Sequence, residues 1–139
     1  MVEADSCGGG YFTSATTTST FLGYLSENSG RYSGTWVSQT NSNFVGSSAR
    51  KSSSNGASVT YTVAAKNYAY LSPENVGLGQ AKEYVAGSFF TTVDLSNSYL
   101  SNTLVISRKS YTTKASRTYK IQEASGTGPI MTDGLAYMY

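Results

Sequence analysis

The side chains in this sequence that could move a proton are carboxylates: Glu27, Glu74, Glu83, Asp94, Glu123 and Asp133, with Glu3 and Asp5 near the start. There is no histidine, so neither a Ser-His-Asp triad nor a His-ligated metal can be built. A glycosidase needs two carboxylates facing one cleft. Glu83 falls in the middle of an alternating segment, and Asp94 stands near the end of another, where it reads as a cap on the following loop. Each acid is therefore expected to be structural. Gly77-Leu78-Gly79 leads into a strand-like run, not a helix, so it does not read as a phosphate cradle. The single cysteine, Cys7, cannot make an internal disulfide and reads as an incidental thiol beside Gly8-Gly9-Gly10. The residues predict no enzyme.

They are better suited to binding. Sugars are held by aromatic faces against their C–H surfaces and by planar polar groups at their hydroxyls. Tyr32, Trp36, Tyr68, Tyr70, Tyr99 and Tyr111 supply the first, and Asn75, Gln80, Asn97 and Arg108 the second. Trp36, in an alternating run, reads as core, and Tyr61, Tyr84 and Tyr119 as core or sheet-face residues. Tyr99 lies in an Asn/Ser loop and is the aromatic least explained by packing, with Tyr111 next. The candidate ligand-binding set is Tyr99, Tyr111, Tyr70, Asn75 and Arg108.

The elements that must carry these residues are strands. Ser and Thr together make 40 of the 139 residues, with 12 Tyr, 14 Gly and only 2 Pro; β-branched and aromatic side chains suit a half-buried pleated surface. No window sustains apolar residues at helical spacing. The clearest element is Ala81 to Leu95, a hairpin turning at Ala86-Gly87. Ala81, Glu83 and Val85 share one side, opposite Lys82 and Tyr84. In the return strand Phe89, Thr91, Val93 and Leu95 share a face, which makes Val85, Phe89 and Val93 the expected core anchors of a central hairpin. Ala57 to Ala65 alternates through Val59, Tyr61 and Val63; Lys66-Asn67 reads as a turn into Tyr68-Ala69-Tyr70-Leu71. Ser72 to Gly79 reads as a loop. Thr103 to Ser107 reads as a short buried strand, Arg108 to Lys114 as turn-like, and Arg117 to Ala124 as a further strand. Ile130 to Tyr139 closes the chain. Eight to ten short strands at regular spacing predict an all-β sandwich of two antiparallel sheets over residues 21–139. Residues 1–20, ending in a run of hydroxyls, read as an extended arm or linker.

In order, Tyr32-Ser33-Gly34-Thr35-Trp36, Gly56 to Thr62, Ala69-Tyr70-Leu71, Gly79 to Gly87 and Thr92-Val93-Asp94-Leu95 form a series. Leu104-Val105-Ile106, Arg117 to Ile121 and Asp133-Gly134-Leu135-Ala136 continue it. This series resembles the jelly-roll β-sandwich modules of the galactose-binding-like type, over about residues 31–139. The resemblance implies a jelly-roll fold and a glycan-binding, structural or adhesive role. Members of that group commonly carry a structural calcium. No constellation for one assembles from this sequence, so no cofactor is expected. The hairpin also departs from the group, with Ala86-Gly87 where Asp-Gly is usual.

The formal charge of +2 and 13% charged residues give no basic patch able to hold a phosphate backbone, so nucleic acid is not an expected partner. No segment approaches a membrane span. The hydroxyl-rich, charge-poor composition points to the outside of a cell or a virion, yet MVEADSCGGG has neither the basic nor the apolar part of a signal peptide. Two readings fit that tension. One is a glycan-binding module cut from a longer secreted or surface protein. The other is a virion structural protein, such as a capsid decoration or a fibre or tail component, whose partners are other subunits. In the second, the arm would lie along a neighbouring copy as an added strand.

Overall fold

A computed structural model describes residues 23–139 and the backbone of three two-residue strands before them. Those three are β1 (Val2–Glu3), β2 (Phe12–Thr13) and β3 (Thr20–Phe21). Then follow β4 (Gly23–Leu25), β5 (Arg31–Ser33), β6 (Val37–Thr40), β7 (Ser48–Ser52), β8 (Ser58–Ser72), β9 (Gln80–Val85) and β10 (Ser88–Asp94). The last are β11 (Leu104–Glu123), β12 (Ile130–Thr132) and β13 (Gly134–Met138). Two short 3-10 turns, Glu27–Ser29 and Val45–Ser47, are the only helical segments among the described residues. Among the described residues no helix is long and apolar enough to cross a membrane. The predicted arm over residues 1–20, and the assembly through it, lie outside the described residues apart from the backbone pairings of β1 with β11 and of β2 with β3.

The protein is an all-β sandwich of antiparallel sheets, as its composition predicts, but two of its strands are long. β8 runs unbroken for 15 residues and β11 for 20. The expected turns at Lys66-Asn67 and over Arg108 to Lys114 are bends within these strands. At the bend, Ser110 pairs with Asn67 but Ala115 pairs with Ala65, so residues 111–114 bulge out opposite Lys66. Beyond it both strands continue in a second leaf. One leaf has the order β5-β8-β11-β9-β10; the other has β1 and β11, then β8, β13 and β4. Ser107 and Tyr119 show how sharply β11 folds over. Twelve residues of straight strand would span about 40 Å, yet their side-chain oxygens lie 3.4 Å apart. A three-stranded sheet, β6-β7-β12, closes the remaining side of the core.

That core is built on tyrosine. Tyr61, Tyr68, Tyr70 and Tyr119 are fully buried beside Leu71, Leu95, Ile121, Ile130 and Leu135. A buried phenol must find a partner for its hydroxyl, and each does. Tyr61 bonds to Thr132 Oγ1 at 2.8 Å, Tyr70 donates to the Met131 carbonyl, and Tyr119 donates to Glu83. The Tyr68 hydroxyl sits among the carbonyls of Val63, Ala65 and Ala115, at 3.1 to 3.2 Å, inside the bend. These bonds pin the leaves to one another and to β12, so the hydroxyls that make the sequence look wet also give the interior its register.

The Ala81-to-Leu95 hairpin forms at the predicted residues. Ala86 (φ 52°) and Gly87 (φ 81°) are both left-handed, as a two-residue type I′ turn requires. It is an edge hairpin, not a central one: β10 is the last strand of its leaf. Its alternation also breaks. Phe89 pairs with Tyr84 and Thr91 with Glu83, so Phe90 is the extra residue of a bulge. The bulge turns Phe90 onto the core and leaves Phe89 58% exposed. Phe89 is thus not the anchor its position suggests, whereas Val85 is buried and Val93 packs against the core as expected.

Candidate functional site

The outward face of the β5-β8-β11-β9-β10 leaf brings together residues distant in sequence. The ladder register places Arg31 opposite Thr60, Thr60 opposite Lys120, Lys120 opposite Tyr84, and Tyr84 opposite Phe89. This is one row across five strands, about 19 Å long at the usual 4.8 Å strand spacing. The next row on the same face is Ser33, Ser58, Gln122, Lys82 and Thr92. A hollow of about 440 Å³ opens at the Gly87 end, lined by Thr60, Tyr84, Gly87, Thr118, Lys120 and Gln122.

Each side chain there is held by its strand. Tyr84 is half-buried and meets Phe89 edge to face, with ring centroids 5.8 Å apart and planes at 70°. The Lys120 ammonium reaches to 5.5 Å from the Tyr84 ring centroid, within the range of a cation–π attraction. Gln122 donates to the Gly56 carbonyl at 3.2 Å and lines the hollow. Thr60 and Thr118 add hydroxyls. The result is an aromatic platform with hydrogen-bonding groups along one side, on strands and not on mobile loops. It can stack a ring and bond to its polar edge.

The residues expected to bind are dispersed. Tyr70 is fully buried with its hydroxyl on the Met131 carbonyl; its ring is sealed in the core and reaches no surface. It alternates inward on β8 with Tyr68, because β8 runs on through Lys66-Asn67 and does not start anew after a turn there. Tyr111 lies on the bulge of β11, covered by the Arg117 guanidinium at 3.7 Å and edge-on to Tyr68. Arg108 is exposed on β11. Asn75 holds its own loop: its side chain accepts from the Val76 amide at 2.8 Å, and its backbone bonds to Leu95 and Asn97. Tyr99 is 66% exposed in the adjoining loop. The structure therefore brings Asn75 near the segment that carries Tyr99, and leaves Tyr70, Tyr111 and Arg108 elsewhere.

Tyr84 and Phe89 are legible as a surface through two local signals. Phe89 and Phe90 are adjacent, and an alternating strand cannot bury both. The Lys82-Glu83-Tyr84 triplet, with the acid on the core side, sets the same face outward.

Buried acids lie on the other side of the sheets. Glu83, between the leaves, accepts from the Tyr119 and Ser107 hydroxyls through Oε1, while Oε2 has no partner. Burial raises its pKa despite those two bonds. Asp133 accepts from the Val45 amide at 2.8 Å and from the Thr103 hydroxyl; burial pushes it up to about 7. Glu27 accepts from Ser48 Oγ at 2.7 Å. Glu27 Oε2 and Asp133 Oδ1 are both buried without partners, the kind of orphan a cation could take up. Calcium, however, collects about six to eight oxygens, and no three acidic, Cys or His side chains converge among the described residues.

The same fold recurs in solved structures of carbohydrate-active proteins. The chain is similar to part of the exo-β-1,3-galactanase of Phanerochaete chrysosporium, solved with galactose, at a TM-score of 0.64 and 13% identity over 91% of this chain and 32% of that one. It is similar to part of a Paenibacillus cycloisomaltooligosaccharide glucanotransferase complexed with cycloisomaltoheptaose, at 0.63 and 20% identity over 82% of this chain and 18% of that one. The Agl-KA catalytic domain matches 98% of this chain with 28% of its own, at 0.56 and 13% identity. The chain thus spans a third or less of each of these proteins. No protein family and no curated protein matches the sequence itself.

Proposed function

We propose that this chain is a glycan-recognition module of the galactose-binding-like kind, working within a larger secreted or surface-exposed protein. Its ligand lies across the Arg31-to-Phe89 row. The observation that carries this reading is the Tyr84–Phe89 pair: an exposed aromatic platform on a hydroxyl-lined sheet face, beside a hollow of about 440 Å³. The likeness to parts of proteins acting on galactans and glucans supports it. The role proposed is binding: the acids Glu27, Glu83 and Asp133 are buried inside the sandwich, and among the described residues the face carries no paired carboxylates. It calls for no cofactor.

Affinity electrophoresis against a panel of soluble polysaccharides tests it. Retardation by at least one of them is expected, with Tyr84→Ala and Phe89→Ala each weakening it about tenfold, equivalent to about 1.4 kcal/mol. Unchanged circular dichroism would show that the fold is kept. Retention unaffected by both variants but abolished by Tyr99→Ala would move the site to the loops.

A further inference from the structure

The charge on this face narrows the ligand further, and the argument rests on the binding face proposed above. Three cations project from it, Arg31, Lys120 and Lys82, and none is ion-paired with a described residue. Lys82 stands diagonally across from Lys120, because Lys120 pairs with Tyr84 two positions further along β9. Such diagonal neighbours lie roughly 7–8 Å apart, close enough for their two ammonium groups to repel. Arg31 is two strands from Lys120 in the same row, about 10 Å away. The one carboxylate on this face among the described residues is Asp94, opposite Gln80 at the far end of β10. Its Oδ1 accepts from the Ser96 amide at 2.9 Å, so it serves the loop.

The hydrogen-bonding inventory points the same way. Lys and Arg offer donors and no acceptors. A neutral sugar presents hydroxyls that both give and take, and recognising it calls for carboxylates or amides to accept. Here Gln122 and the threonines supply few acceptors against three strong cationic donors. The face is matched to a ligand that brings its own acceptors and negative charge. Carboxylate and sulfate groups do both, and charge-assisted bonds to them are about twice as strong as neutral ones.

We propose that the row binds an acidic glycan, its sugar rings on Tyr84 and Phe89 and its anionic groups on Lys82, Lys120 and Arg31. The test compares matched polymers by isothermal titration calorimetry and affinity electrophoresis. Polygalacturonate and its methyl ester share every sugar ring and differ in charge; dextran sulfate and dextran do the same for sulfate. At least one charged polymer is expected to bind tenfold or more tightly than its uncharged counterpart. That preference should shrink as salt rises from 50 to 500 mM, since exposed charges are screened. The double variant Lys82→Gln, Lys120→Gln should abolish the preference while keeping the thermal midpoint. Whichever pair shows the preference identifies uronate or sulfate as the group recognised. Three outcomes overturn the proposal. Neutral and charged partners binding alike, with Tyr84→Ala still disruptive, would remove the acidic class but keep the glycan site. Single-stranded DNA binding as tightly as the acidic polymer would make the face a general polyanion patch. Binding indifferent to Tyr84→Ala would remove the site itself.

Discussion

Glu83 is the residue whose place in the chain says least about its behaviour. In the alternating run Ala81, Glu83, Val85 it occupies a core position, and the structure buries it there with one oxygen bonded twice and the other not at all. A carboxyl in that setting favours its protonated form, and its pKa is raised accordingly. The sign of the consequence follows from linkage. The folded state holds the proton more tightly than the unfolded state, so the contribution is complete below the ordinary carboxylate pKa. It is lost as pH rises through the higher folded value. Between the two values the loss is about 1.4 kcal/mol per pH unit. Glu83→Gln keeps the acceptor for Tyr119 and Ser107 and removes the titration. The variant is expected to match the wild type in urea unfolding near pH 4 and to be the more stable of the two at pH 8. Asp133, raised to about 7, leaves a residual slope in the variant between the carboxylate range and neutrality. A variant that tracked the wild type at every pH would mean that Glu83 ionises freely in the folded protein.

At the scale of the element, the hairpin shows what alternation encodes and where it stops. The turn, both strand positions and the facing of Lys82 and Tyr84 were readable, because period 2 and a Gly at the turn are local signals. The bulge was not. A single extra residue at Phe90 reverses which phenylalanine faces the core, and so exchanged a core anchor for half of the aromatic platform. The long strands were hidden for a related reason. Lys66-Asn67 and the polar run from Arg108 look like punctuation, but they lie where β8 and β11 bend outward into solvent. There, polarity reflects exposure and not an end of pairing. The face of Tyr70 is hidden for the same reason, since only an unbroken β8 fixes it. The turn carries its own prediction. Ala86 adopts φ 52°, a region that costs an alanine about 1–2 kcal/mol and that asparagine tolerates better. Ala86→Asn should raise the urea midpoint by the equivalent of about 1 kcal/mol with an unchanged m-value. It should leave the adjacent binding face intact. A lower midpoint would indicate that the hairpin turn is held by something other than its backbone conformation.

For the whole molecule, the two leaves exist because two strands are shared between them, so whatever fixes the bend fixes the sandwich. Tyr68 bonds to carbonyls on both shared strands from inside the bend. Arg117 does the same. Its guanidinium donates to the Ala65 carbonyl on β8 at 2.9 Å and to the Thr113 carbonyl on the β11 bulge at 3.1 Å, and it covers the Tyr111 ring at 3.7 Å. The planar fork of arginine suits three simultaneous contacts of this kind, which a lysine ammonium cannot reproduce. Tyr111 is thereby explained as part of the clasp. Arg117→Ala is expected to destabilise the protein by about 2 kcal/mol, the range of a single charge-assisted bond, because the second of its two bonds is exposed. Arg117→Lys should recover less than half of that. Hydrogen exchange tells a clasp from a local tether. If the bend couples the leaves, amides on both sides of it, such as those of Ser107 and Tyr119, should exchange faster together in the alanine variant. If faster exchange stayed within residues 111–114, the bulge would be an independent loop. The leaves would then be held by the buried tyrosine hydroxyls and the apolar core around them.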